Sequence, residues 1–186
     1  MGDLDAARQA LRERQGVGVR YDAPEAPADA LLLARSGTAY FARRLNALSD
    51  VALYQGSAAA GWTRAHVICD VAYQARAISR QGEAATAGAP MPPLYDDEPS
   101  RIEAIRLGST LPARALRHLF DHAAAHLNVV WRDMPGPAWN VNARAADGAL
   151  RPLRATATER AHRIWHAALE LNNGARRQEL PPELRD

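Results

Sequence analysis

The strongest constraint on this chain is its period. Apolar residues recur every three to four positions over four long segments, and convincing two-residue alternation is nearly absent. A chain patterned in this way buries its apolar stripes by packing helix on helix. The first stripe runs over about residues 30–48, with Asp29 as its N-cap. The second begins at Trp62 or Thr63 and runs to about Gln81, the third spans about 112–132, and the last about 154–171 before "NNG" stops it. A short helix is expected over 100–108, a short helical piece after Ser49 or Asp50, and a leading helix over about 3–14.

Two long connections separate these helices. Residues 82–99, "GEAATAGAPMPPLYDDEP", are rich in Gly and Pro, and "RDMPGPAWNVNARAADGALRP" is irregular throughout. Loops of this length are uncommon in compact domains unless they carry function. The expectation is an all-α four-helix bundle with long loops. The bundle domain spans 29–181, preceded by a helix and Pro-rich lead-in over 1–28 and followed by a tail over 182–186.

Composition excludes several classes. A net charge of +2 without a basic run interleaved with aromatics argues against a nucleic-acid partner. All 23 cationic residues are arginine, spread along the chain. No stretch approaches a membrane span of about 18 apolar residues, and the N-terminus lacks the apolar run of a signal peptide. The single cysteine, Cys69, rules out an internal disulfide and a thiolate zinc site; it reads as a buried structural thiol. A cytoplasmic protein, monomer or homodimer, acting on small molecules, is expected.

The chemistry-bearing residues concentrate on two helices. In "ERAHRIWHAALEL", His162 and His166 stand one turn apart and aim two imidazoles from one face. In "HVICD", His66 and Asp70 share a face in the same way. Asp70 with His162 and His166 makes one carboxylate and two imidazoles, a set suited to catalytic zinc or non-haem iron. The alternative is a solvated Asp70 paired with Arg76 or Arg80. Glu159 shares the side of His162, either as a general base or as a first-turn acid favoured by the helix dipole. His118, His122 and His126 form a third row, but the wheel turns it mostly towards water, with His126 nearest the apolar edge.

Together these segments resemble the mycothiol-dependent maleylpyruvate isomerase family within the DinB-like bundle superfamily. "GWTRAHVICDVAYQARAI" is similar to the family's second-helix signature, in which a metal-binding histidine follows the tryptophan by eight residues; here that place is Asp70. "LYDDEPSRIEAIRLGS" resembles the family's Tyr…Arg…Ile…Gly segment through Tyr95, Arg101, Ile105 and Gly108, and Trp139 fits the tryptophan of the long connection. "RAHRIWHAALEL" fits the last metal helix, with His162 in place of the usual glutamate and His166 at the unchanged ligand position. The resemblance covers roughly residues 30–181.

The resemblance implies Zn²⁺, with Fe²⁺ as the alternative, on Asp70, His162 and His166, with His66 as the alternative ligand. It also implies mycothiol or another low-molecular-weight thiol as co-substrate in a cis–trans isomerisation by reversible thiolate addition. Glu159 and Arg101 are the expected catalytic groups. Arg76, Arg80 and Tyr95, with His126 at an interior cavity, are the expected substrate-binding ones. The family continues into a small C-terminal domain that supplies a substrate arginine where this sequence ends in "LPPELRD", so the expected substrate is an unsaturated acid or related small molecule rather than maleylpyruvate in particular. An S-transferase, an oxygen-dependent iron enzyme and a non-catalytic metal-binding bundle are the competing readings.

Overall fold

Five α-helices, four short 3-10 turns and one short hairpin are the regular elements of the described part of the chain, one 3-10 turn, Val51–Tyr54, being the short piece expected after Ser49 or Asp50. The computed structural model describes residues 21–185. The expected leading helix over 3–14 lies outside these. In order come α1 (Ala28–Asn46), α2 (Arg64–Ala87), the short α3 (Glu98–Gly108), α4 (Ala113–Asp133), strands β1 (Asn142–Arg144) and β2 (Leu150–Pro152), and α5 (Ala155–Glu170). The long helices α1, α2, α4 and α5 form the expected all-α bundle, with α1 packed on α5 and α2 on α4.

Helical spacing places each buried face. In α1 it is Leu31, Ala34, Gly37, Tyr40, Phe41 and Leu45, and in α4 it includes Leu116, Phe120, Ala123, Leu127 and Trp131. Phe41 and Phe120, 4.9 Å apart, join the two helices across the core. On the other side α1 closes tightly on α5. A Cβ on Gly37 would lie 2.7 Å from side-chain atoms of Ile164 and Trp165. The indole of Trp165 donates to the Leu33 carbonyl at 3.0 Å and stacks on Tyr40.

α2 lies deepest, with Val67, Ile68, Cys69, Val71 and Ala72 fully buried. It is capped by a reciprocal Thr63–His66 pair at its start and by Gly88 in the left-handed conformation at its end. It runs six residues beyond the expected end at Gln81. Gly82 does not break the helix; it lets α4 approach, since a Cβ there would lie 2.7 Å from Val130 Cγ1. Asp29 likewise proves to be a first-turn acid, and Pro27 takes the N-cap place.

The second long connection carries more order than its sequence suggests. β1 and β2 pair antiparallel, Ala143 opposite Arg151. Asp147 accepts from the Ala149 amide at 3.0 Å, and Gly148 takes a positive φ of 82°. Gln81 then ties the two connections together by donating to the carbonyls of Pro92 and Arg144. The hairpin and the 94–95 segment are thereby held as walls beside α5.

Candidate active site

The polar stripe of α5 carries Glu159, then the adjacent pair His162 and Arg163, then His166 and Glu170, the steps from 159 to 162, 163 to 166 and 166 to 170 being three or four residues. Its first four members line a cleft of about 570 Å³, closed by Gln74 of α2, Leu94 and Tyr95 of the first connection, and Asp147 and Arg151 of the hairpin. His162 is exposed and His166 half-buried. The two imidazoles thus share this cleft, as their spacing predicts.

Asp70 lies behind the wall, 4% exposed, and both its oxygens are taken. Oδ2 accepts from Arg163 Nε at 2.5 Å and Oδ1 accepts from Arg101 Nη1. Each guanidinium has a second carboxylate: Arg163 Nη2 donates to Glu170 at 2.8 Å, and Arg101 donates through Nε and Nη2 to Glu98. Tyr95 sits against this network, with the Arg101 guanidinium 5.5 Å from its ring centroid. Burial, reinforced by the negative charge of Asp70, pushes the Tyr95 phenol up to about 12.

Arg160 is buried in the bundle interior, where its Nη1 donates to the Val71 carbonyl at 2.6 Å and to Gln74 Oε1 at 3.0 Å. Its Nε and Nη2 are buried without a hydrogen-bond partner. Burial, with the like charge of Arg163, draws this guanidinium down to about 10. Glu159 is half-buried beside Arg151, 3.2 Å away. Burial raises its carboxyl above the ordinary range and outweighs the pull of Arg151.

The remaining expected residues lie elsewhere. Arg76 and Arg80 are exposed; six and ten residues beyond Asp70, they turn away from the face that Gln74 shares with it. Arg76 lines a separate cleft with Tyr73, Pro112 and Arg114. His126 is bonded to Glu83 at 2.8 Å on the α2–α4 surface. His66 is spent on the helix cap, its Nδ1 2.7 Å from Thr63 Oγ1 and its Nε2 3.2 Å from Ser109 Oγ. Cys69 is buried as expected. The arginines at 160 and 163 were not among the expected site residues. Arg160 left a trace in the sequence, as a cation within the stripe Ala157, Ala161, Ile164, Ala168.

These positions do not fit a metal on Asp70, His162 and His166. The carboxylate has no oxygen free of a guanidinium. Among the described residues no three His, Cys, Asp or Glu side chains are grouped to hold an ion. What the cleft offers is two imidazoles, a carboxyl raised by burial and a fixed guanidinium, a set able to move protons and hold an anion.

Comparison with known proteins agrees with the fold. The family model of the mycothiol maleylpyruvate isomerase N-terminal domain matches residues 34–171. Two solved structures resemble the chain, those of the mycothiol-dependent maleylpyruvate isomerase and of a histidine-to-alanine variant of it. Each has a TM-score of 0.80 and 34% sequence identity, and the match covers 84% of this chain and 65% of theirs. The chain thus spans just under two thirds of the length of those structures. No curated protein matches it. A family match across most of the helical core, together with a shared fold at this identity, means that the chain belongs to the mycothiol maleylpyruvate isomerase N-terminal domain family.

Proposed function

We propose that this protein is a thiol-dependent isomerase, turning the double bond of a small unsaturated acid from cis to trans with mycothiol or a similar thiol as co-substrate. The observation that carries the reading is the cleft of about 570 Å³ in which Glu159, His162, Arg163 and His166 stand together on one helix of a family fold.

The chemistry follows from these groups. The imidazole of His166 or His162 takes the thiol proton, and the thiolate adds to the electron-poor carbon of the double bond. The π electrons move into the conjugated carbonyl as an enolate, and the former double bond becomes a single bond about which the chain rotates. The enolate then collapses, the C–S bond breaks, and the thiolate recovers its proton from the imidazolium, so no thiol is consumed.

Arg163 uses Nε and Nη2 on Asp70 and Glu170. A guanidinium has five N–H donors, so donors remain for a substrate carboxylate. Arg101 acts by holding Asp70, and through it the orientation of Arg163. Glu159, its carboxyl raised above the ordinary range by burial, faces the cleft as the acid that would donate a hydrogen bond to the developing enolate oxygen. Tyr95 shapes the mouth.

The test is isomerisation of maleylpyruvate and related cis-unsaturated acids, followed by absorbance with and without mycothiol. Thiol-dependent turnover that falls at least about 100-fold in His166→Asn supports the reading. Equal rates with and without thiol, or no product from any such acid, overturn it.

A further inference from the structure

We propose that the bridge Arg101–Asp70–Arg163 stands where the family resemblance puts a divalent metal, and that it joins α2 to α5 in the metal's stead, so that this protein takes up no metal there. Three observations carry this independently of the reaction proposed above.

The first is the state of Asp70. At 4% exposed it has no access to a hydrated ion, and each oxygen is already bonded to a guanidinium. The second is charge. The expected ligand set contributes one negative charge, and that charge is already shared by two cations. Arg160, a third, is buried against α2 one residue along from Asp70, its Nη1 on the carbonyl of Val71. Glu98 and Glu170 sit on the same two guanidiniums, so with Asp70 three carboxylates already balance three cations, and a divalent ion added here would bring two uncompensated positive charges. The third is structural. Asp70 and Arg163 tie α2 to α5, and Arg101 adds α3 to the same point. A metal held between the second and last helices would make the same cross-link, so the fold does not need one.

The test needs no activity measurement. The full chain, purified without chelator, is analysed for zinc and iron, then titrated with Zn²⁺, with its melting temperature read in chelator and in excess zinc. The expected result is far less than one metal per chain and no shift in melting temperature under either condition. A second protein, Asp70→His with His162→Glu and Arg163→Val, restores the family's ligand types and removes the cation between them. It is expected to take up about one zinc per chain and to melt higher with zinc than in chelator. About one tightly held metal in the native chain, lost in Asp70→Ala, overturns the proposal. A melting temperature of the native chain that falls in chelator also overturns it. Because every readout is metal content or stability, failure here is distinct from failure of the thiol reaction.

Discussion

Replacing Asp70 by Asn removes one charge and almost no volume, so its cost isolates what that carboxylate does for the fold. In the native protein the Arg101 and Arg163 side chains are only 19% and 22% exposed, and Arg160 is 1% exposed nearby. Breaking a buried ion pair by removing one partner costs about 3–5 kcal/mol, because the stranded charge has lost its solvation. Each guanidinium here keeps one carboxylate, Glu98 or Glu170, and a little solvent. The lower end of the range applies, about 3 kcal/mol. For a chain of this size that lowers the melting temperature by about 6–12 °C, read by far-UV circular dichroism and checked by urea unfolding. The double variant Asp70→Asn/Arg163→Met loses less than the two single losses added, because the second change removes a cation the first left stranded. A loss below about 1 kcal/mol, the worth of an exposed surface pair, would refute the reasoning.

Three other outcomes follow from the structure. Gly108→Ala drives a Cβ against Tyr73 Oη and to 3.0 Å from Cys69 Sγ, prising α3 off α2; a loss of about 1–3 kcal/mol is expected, and Tyr73→Phe in the same chain recovers part of it. Glu159 binds its proton more tightly folded than unfolded, so its contribution favours folding at low pH and is lost as pH rises from the ordinary glutamate value through its raised folded value. The stability difference between Glu159→Gln and the native protein, measured by urea unfolding, therefore grows in favour of the variant across that window; no trend would contradict a buried carboxyl. Cys69, with its thiol pushed up to about 12 by burial and then by the charge of Asp70, is expected to react with a disulfide reagent only as fast as the protein unfolds. Fast labelling in native buffer would show the thiol accessible.

How much of this was legible depends on range. The long helices follow from the 3.6-residue recurrence of Leu, Ala, Phe and Trp, a local property that survives any arrangement of the helices. Gly82 misled as a breaker because its reason for being there is Val130 on another helix. The hairpin has no sequence signal because its strands are three residues long, too short to alternate, and its ties to the rest of the fold come from Gln81 and Leu94, distant in sequence.

The site divides in the same way. The pairing of His162 with His166 and the side taken by Glu159 were determined by the sequence alone, since residues three and four apart on one helix share a face whatever packs against it. The family was legible too, because the order and spacing of its motifs are sequence properties. The partners of Asp70 were decided only by the tertiary structure. Arg163 lies 93 residues away and Arg101 31 residues away. No periodicity reports which of the chain's many arginines a packed bundle brings to one buried carboxylate. The carboxylate Asp70 could equally serve a metal or a cation of the protein's own until packing chose, and what decided it was two guanidiniums meeting it out of water.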